Sequence, residues 1–159
     1  MSMGKLLAGL IVITALATAI GVYYTQVYAY YDEVATDAPE AQMKLVSLES
    51  GASEPILAEN VEAIDSDSSP LRFRACFTTP MSQAMLSETY EPVEEAVPLV
   101  APGWFDCFDA VEIGEAIERG DALAFLSQHD IHDGVDRVIA VFPDGRAYAW
   151  HQLNDKYKD

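Results

Sequence analysis

The stretch of sequence that decides the fold is DRVIAVFPDGRAYAWHQL, residues 136–153. Two runs of strand-forming residues, 137–142 and 147–153, flank the turn Pro143-Asp144-Gly145-Arg146. Two such runs around a proline, aspartate and glycine turn predict a β-hairpin. This hairpin is the clearest element of the chain, so an antiparallel sheet is the expected centre of the fold.

Neighbouring stretches extend this sheet and cover it. The alternating sequence LRFRACF predicts a strand at 71–77 whose apolar side chains share one face. Helical spacing and end signals predict short helices at 80–89, 110–119 and 121–128. We expect an α+β domain at 44–159, with an antiparallel sheet of three to four strands and two to three short helices on one face.

The helix at 110–119 has the strongest end signals. Asp109 can accept hydrogen bonds from the first free N–H groups, and Glu112 can complete a capping box. Gly120 follows the basic last turn, where glycine commonly ends a helix. Both ends of this helix are therefore predicted from local sequence.

A separate feature is the apolar run LLAGLIVITALATAIGVYY at residues 6–24, which contains no charged side chain. As a helix this run would be about 28 Å long, close to the thickness of the hydrocarbon core of a bilayer. Tyrosines that suit the membrane interface cluster at its end, namely Tyr23, Tyr24, Tyr28, Tyr30 and Tyr31. Residues 1–31 are therefore predicted to be a single transmembrane anchor with a tyrosine-rich interfacial belt.

The one charged side chain of this anchor, Lys5, favours a cytoplasmic amino terminus and an exported remainder. A cleaved signal peptide stays open as an alternative, because Ala17-Thr18-Ala19 resembles a processing site. Small residues four apart allow another transmembrane helix to approach closely. The candidate positions for such a partner are Gly4, Ala8, Ala15 and Ala19.

The charge of the chain is unevenly distributed. All 26 acidic residues lie at or after Asp32, and the formal net charge is −17. A fold this acidic repels phosphate, which argues against nucleic acid as a partner. Residues 32–43 are acidic, rich in alanine and contain Pro39, so we expect a tether between the anchor and the domain.

Cys76 and Cys107 are the two cysteines of the chain. In the oxidising compartment expected for an exported domain, two cysteines can form one intramolecular pair. The bridge would close a loop of about 30 residues and contribute about 3 to 4 kcal/mol in the chain-entropy model. We therefore predict a structural disulfide, since a redox pair would need closer spacing and a metal site would need further ligands.

The stretch QHDIHDGVD carries the residues most suited to metal chemistry. His129 and His132 are three apart, and Asp133 lies beside them together with Asp130 and Asp136. Imidazole and carboxylate groups at this spacing can bind a transition metal. A solvated loop between two elements needs the same polar residues, and that interpretation is favoured. His129, His132 and Asp133 are thus weak metal candidates, and no cofactor is expected.

Trp104 and Phe105 lie in an aromatic cluster around the second cysteine, in APGWFDCFD. Such side chains either complete a small core or form a hot spot for a binding partner, and the core is favoured, so Trp104 and Phe105 are only candidates for partner binding. The histidines and acids are not accompanied by a Gly-rich phosphate loop, a nucleophile elbow or an H-E-x-x-H motif. The sequence therefore favours a protein without catalytic activity.

Three phrases resemble an uncharacterised alphaproteobacterial family of short single-span envelope proteins: RFRACFTTP at 72–80, APGWFDCFD at 101–109 and DRVIAVFPDGRAYAWHQ at 136–152. The resemblance covers nearly the whole chain. It implies a membrane anchor and an envelope location, and it implies no established activity. Some members carry a histidine-kinase label, which does not suit a chain of 159 residues without Gly-rich nucleotide-binding boxes.

Together these features predict an accessory subunit or interaction module of an inner-membrane complex, of respiratory or photosynthetic type, with its domain in the periplasm. The expected partners are other transmembrane subunits. An acidic domain could also attract a basic electron carrier such as a c-type cytochrome by long-range steering, but acidity that only keeps an exported protein soluble is the favoured interpretation. Two alternatives stay open. One is a periplasmic sensor or ligand-binding domain, which needs a concave apolar pocket, and the other is a metal-dependent enzyme.

Overall fold

The computed structural model describes residues 2–28 and 30–157. The chain forms two compact units, divided in sequence between Tyr31 and Asp32. The second unit, Asp32–Asp159, is called the head domain below. The two units differ in structure, because the first consists mainly of one exposed apolar helix and the second is built on a sheet.

The first unit consists mainly of one helix, α1 (Met3–Val27). Its 25 residues span about 37 Å, so α1 is long and apolar enough to cross a membrane. None of these side chains is buried. The hydroxyl of Thr14 donates to the carbonyl oxygen of Leu10 at 2.6 Å, which satisfies this polar group within the helix. At the end of α1, Tyr24 and Tyr28 stack with ring centroids 6.0 Å apart.

The described part of the head domain contains eight strands. They are β1 (Asp32–Glu33), β2 (Lys44–Val46), β3 (Ser53–Pro55), β4 (Glu59–Asp65), β5 (Arg74–Thr78), β6 (Leu123–His132), β7 (Val135–Val141) and β8 (Arg146–Leu153). Six of them form one antiparallel sheet in the order β1-β4-β5-β8-β7-β6, and β2 pairs with β3 separately. The prediction of three to four strands is therefore wrong in number, while the antiparallel arrangement is confirmed.

The predicted hairpin is confirmed as β7 and β8. Val141 lies opposite Ala147 across the turn, and Gly145 in that turn has a φ of 90°. This positive φ suits glycine because it lacks a Cβ atom. The strand predicted at 71–77 is confirmed as β5, although it begins three residues later, at Arg74; Ala75 and Phe77 lie in the same buried cluster. These elements follow directly from local alternation and turn chemistry.

The helix predicted at 121–128 is wrong, because this segment enters the strand β6. β6 pairs with β7 from Leu123 to His132, and the two-residue turn Asp133-Gly134 joins the two strands. A short apolar run fits a buried strand as well as a helix, and pairing with β7 decides between them. Aspartate followed by glycine is itself a strong hairpin signal, here with Gly134 at a φ of 72°.

Residues 32–43 belong to the head domain, which differs from the expectation of a tether. β1 pairs with the end of β4, and the N–H of Val34 donates to the carbonyl oxygen of Ala63 at 2.9 Å. The side chain of Met43 is 2% exposed and lies in the core. The segment looks polar in sequence because its apolar residues are few, but a sheet edge needs only backbone groups to pair.

Two helices cover the sheet, α2 (Gln83–Thr89) and α3 (Ala110–Arg119). Leu86 of α2 belongs to the same buried cluster as Ala147 of β8. Glu112 of α3 forms an ion pair with Arg146, the preceding residue of β8. Arg146 and Ala147 are neighbours in β8, and neighbouring side chains of a strand point to opposite faces of the sheet. α2 and α3 therefore lie on opposite faces, and the expectation that the helices share one face is wrong.

The ends of α3 confirm the local signals. The side chain of Asp109 accepts hydrogen bonds from the N–H groups of Val111 and Glu112, and Gly120 ends the helix with a φ of 76°. The carboxylate of Glu112 bonds to Nη1 of Arg146 at 3.1 Å. This contact ties α3 to β8 and takes the place of a closed capping box. α2 begins at Gln83, three residues after the predicted start, because Ser82 is its N-cap.

One hydrophobic cluster fills the sheet face under α2. Its buried members are Met43, Leu45, Ala63, Phe73, Ala75, Phe77, Leu86, Tyr90, Phe125, Ile139, Val141, Ala147 and Ala149. The opposite face carries Phe108, whose ring packs against Tyr148 and Trp150 with centroids 5.9 and 6.4 Å apart. The sheet therefore buries apolar side chains on both faces.

Candidate functional site

An acidic cleft of about 610 Å³ opens where β6 and β8 end and β7 begins. Six carboxylates line it, from Glu91, Glu94, Glu95, Asp130, Asp136 and Asp155. His129 and Lys156 are the residues with basic side chains in its lining. The lining is mainly polar, so the cleft has the character of a charged surface and not that of an apolar ligand pocket.

Three side chains in this cleft are close enough to share a metal ion. In the described part of the chain, His129, Asp130 and Asp136 form the one group of three potential ligands with atoms within 4.8 Å of one another. Nδ1 of His129 lies 3.0 Å from Oδ1 of Asp136, and its Nε2 lies 3.5 Å from Oδ2 of Asp130. One imidazole and two carboxylates could supply three ligands to a divalent ion such as Zn²⁺.

The same side chains have a structural use in the hairpin of β6 and β7. Oδ1 of Asp136 accepts from the N–H of Asp130 at 2.9 Å, and Oδ1 of Asp130 accepts from the N–H of Gly134 at 3.0 Å. Nδ2 of Asn154 donates to both carboxylates at 2.9 Å. The pKa of Asp130 is lowered, mainly by the hydrogen bond from Asn154 and to a lesser extent by that from Gly134. These bonds account for the cluster without an ion.

The structure separates the other predicted metal candidates from His129. The ring of His132 lies edge-on to His151 at 5.9 Å, outside the cleft. Asp133 bonds to Nζ of Lys156 and accepts from the hydroxyl of Tyr157 at 2.7 Å, and these two bonds lower its pKa. Sequence spacing indicated His132 and Asp133 because the segment was interpreted as a loop. In the hairpin, Asp130 and Asp136 are the neighbours of His129.

The third histidine, His151, lies in a buried basic cluster that the sequence did not indicate. Nε of Arg137 donates to Nε2 of His151 at 3.0 Å, and Nη1 of Arg137 donates to the carbonyl oxygen of Glu40 at 2.9 Å. The guanidinium carbon lies 3.8 Å from the ring centroid of Phe73. Burial lowers the pKa of Arg137 to about 10. These contacts hold the cluster together inside the core, where it is closed to a ligand.

A second buried arginine, Arg74, holds the long loop before α3. It is 3% exposed. Its Nε donates to the carbonyl oxygen of Leu99 at 2.8 Å and its Nη2 to that of Val100 at 3.1 Å. The amide of Gln152 bonds to the same loop at Glu95 and Val97. Buried polar side chains therefore fix the loop before α3 to the sheet.

The structure contains the predicted disulfide between Cys76 and Cys107, whose Cα atoms are 6.2 Å apart. Cys76 lies in the central part of β5, and Cys107 lies in the loop before α3. The bond links the sheet to a segment 31 residues further along the chain. It therefore holds the aromatic segment that contains the partner-binding candidates Trp104 and Phe105.

The two partner-binding candidates in this segment have different environments. Phe105 is 8% exposed and is part of the buried structure. Trp104 is half-buried and lines a groove of about 600 Å³ together with Cys107. The opposite wall of the groove is β4. This edge groove is the surface at which the aromatic segment meets solvent.

The candidate positions in the first unit all lie on α1, at Gly4, Ala8, Ala15 and Ala19, and each is exposed. Pairs four residues apart lie on the same side of a helix, one turn from each other. The expectation of a helix partner at these positions stays a prediction.

Residues 43–159 match the model of a protein family described as a family of unknown function, DUF6446. The match includes both cysteines, the acidic cleft and most of the residues that line the edge groove. No curated protein and no solved structure matches the chain significantly. Because the matched region is well over half of the sequence, the chain belongs to the family of unknown function DUF6446.

Proposed function

We propose that this protein is a membrane-anchored, non-catalytic interaction module, an accessory subunit of a bacterial inner-membrane complex. α1 spans the membrane with its amino terminus in the cytoplasm, and the head domain lies in the periplasm. The observation that carries the proposal is α1, a 25-residue apolar helix with no buried side chain. Such a surface is favourable in lipid and unfavourable in water.

The disulfide supports the periplasmic location. Bonds such as that between Cys76 and Cys107 persist in oxidising compartments and are rare in the cytosol. The first unit contributes Lys5 as its one charged side chain, on the side of α1 that the positive-inside rule keeps in the cytoplasm. Both observations favour the same orientation.

The charge of the head domain supports a basic partner. A strongly acidic surface accelerates the approach of a basic protein, for which a c-type cytochrome of a respiratory or photosynthetic chain is the expected example. Within the acidic cleft, the carboxylates of Asp130 and Asp136 accept backbone hydrogen bonds and lie against the ring of His129. This arrangement supports a binding surface over a catalytic one.

Membrane fractionation tests the anchor. We expect the full 17.4 kDa chain in membranes that have been washed with alkaline carbonate. The matched control is Ala17→Leu with Ala19→Leu, which removes both small residues of the signal peptidase site and leaves a transmembrane helix intact. Equal mass of the wild type and the variant supports the anchor. A shortened, soluble wild-type product that the variant restores to full length would refute it.

Purification in a mild detergent tests the subunit role. Ala15→Leu with Ala19→Leu places bulk on the small-residue side of α1, and we expect it to release transmembrane proteins that co-purify with the wild type. Ile13→Leu with Val22→Leu is the control and should retain them. A wild-type chain that always elutes alone contradicts the proposal.

The electrostatic part of the proposal is tested with a basic c-type cytochrome and the full chain in detergent. Raising the salt concentration shortens the Debye length from about 30 Å at 0.01 M to about 8 Å at 0.15 M, so binding should weaken strongly over this range. Affinity that is independent of salt would remove the steering argument and would leave the membrane-subunit proposal in place.

A further inference from the structure

The edge groove runs along an incompletely paired strand. β4 is seven residues long, but its outer neighbour β1 pairs only with Ile64 and Asp65. The N–H of Val34 bonds to the carbonyl oxygen of Ala63, and in the described part of the chain no strand pairs with the outer edge of the remaining residues, 59–62, where the register with β5 shifts and Asn60 has a φ of 53°. An open strand edge offers N–H and C=O groups to an incoming strand.

The walls of the groove are apolar where a side chain would enter. Val34 and Val61 are half-buried on the side of the sheet, and Trp104 is half-buried on the opposite side. The ring of Trp104 packs edge-on against Phe105, with centroids 6.3 Å apart, which holds one wall in place. A volume of about 600 Å³ accommodates a short peptide segment with its side chains.

The rim of the groove is acidic. The exposed carboxylates are those of Glu33, Glu62 and Asp106, and the lining contains no lysine or arginine. These charges repel a second copy of this acidic head domain, whose edge would otherwise be a suitable partner for the same strand. They are complementary to lysine and arginine, so the rim discriminates between strands by charge.

We propose that the edge groove binds an extended, basic segment of a partner protein by β-strand addition to β4. Backbone hydrogen bonds to the outer edge of β4 supply affinity. A lysine or arginine of the segment faces Glu62 and Asp106, and an apolar side chain lies against Trp104. This inference rests on the proposed function, since it names the surface and the partner chemistry of the same interaction module.

The experiment uses the full chain in detergent and a synthetic heptapeptide of alternating lysine and valine. Calorimetry measures its affinity, and hydrogen exchange locates its binding. The matched control is the same peptide with every backbone amide N-methylated, which keeps the charge and the side chains but leaves no backbone N–H group to pair with a strand. Loss of two or three backbone hydrogen bonds should weaken binding about tenfold or more. A glutamate-valine peptide should show no binding.

Two sets of variants locate the binding site. Glu62→Gln with Asp106→Asn should weaken the lysine-valine peptide about threefold or more at low salt, because two rim charges are removed. Glu88→Gln with Glu118→Gln removes two exposed charges elsewhere and should leave the affinity within about twofold. Both pairs change only exposed side chains, so folding is expected to be retained. Trp104→Ala removes the apolar wall of the groove and should independently reduce the affinity for the lysine-valine peptide.

Slower hydrogen exchange at residues 59–65 with the unmodified peptide, together with both differences above, supports the proposal. Equal binding of the N-methylated peptide, equal effects of the two charge pairs, or no measurable binding of the unmodified peptide would each overturn it. Protection confined to residues 91–95 and 129–136 would place binding in the acidic cleft and overturn it as well. Failure of the membrane-anchor proposal would appear in fractionation and would not alter these affinities.

Discussion

His151 makes the stability of the head domain depend on pH. Its side chain is fully buried, and its Nε2 accepts a hydrogen bond from Nε of Arg137. Nδ1 therefore carries the proton and donates to the carbonyl oxygen of Pro70 at 2.7 Å. A second proton on Nε2 would face the guanidinium. Burial, followed by the charge of Arg137, lowers the pKa of His151 from its ordinary 6.5 to about 3.

This depressed pKa has a defined effect on folding. Between the two pKa values the unfolded chain binds a proton at His151 and the folded domain does not, so the free energy of unfolding falls as the pH falls below 6.5. Linkage with these values gives a loss of about 2 kcal/mol between pH 7 and pH 5. A domain of this size is typically stable by about 5 to 15 kcal/mol, so the loss is measurable.

Urea unfolding of the full chain in a non-ionic detergent measures this loss through tryptophan fluorescence, since Trp150 is fully buried. The variant His151→Gln keeps a donor and an acceptor but does not titrate, and we expect most of the pH dependence to disappear. The control His129→Gln replaces an exposed histidine and should retain the dependence on pH. An equal loss in wild type and His151→Gln would refute the reasoning, because the carboxylates are common to both.

Three further predictions follow from local geometry, and each is measured by urea unfolding at pH 7. Reduction of the disulfide should lower the free energy of unfolding by about 3 to 4 kcal/mol, and an unchanged midpoint in reductant would contradict this. Gly145→Ala should cost more than Gly51→Ala, although both positions have positive φ values of 90° and 66°. A Cβ at Gly145 would lie 2.8 Å from the backbone oxygen of Thr79, whereas one at Gly51 meets nothing within 4 Å. We expect about 1 kcal/mol for Gly51→Ala and about 2 kcal/mol or more for Gly145→Ala, and the reverse order would show that the close contact relaxes. Asp109→Ala should cost about 1 kcal/mol through loss of the N-cap of α3, and Glu118→Gln on the same helix should cost little.

The elements that are specified by a few neighbouring residues were predicted correctly. The turn that contains Gly145 and the alternation of β5 indicated strands, and the caps at Asp109 and Gly120 placed both ends of α3. β6 was missed because its apolar run is compatible with two structures. The decisive information lies in its partner β7 and in the turn at Asp133, which was assigned to a polar loop.

The same difference between local signals and long-range pairing applies to the candidate sites. The sequence indicated His129 as a metal candidate and Trp104 as a partner contact, and each lines a cleft or groove of the head domain. It named Asp136 among the acids near the histidines but chose Asp133 as the candidate, because the neighbour of His129 depends on the register of a hairpin. It did not indicate the open edge of β4, because an edge is defined by the strand that is missing beside it.

By itself, the sequence determined the separation of an uncharged apolar segment from an acidic remainder, the one cysteine pair and the central hairpin. These properties depend on composition and on spacing over a few residues. Only the tertiary structure decided the order of six strands, the burial of Arg74 and Arg137, and the strand added by residues 32–33. The physical reason is that strand pairing uses backbone groups, which nearly every residue carries, and burial depends on what distant segments bring to cover a side chain.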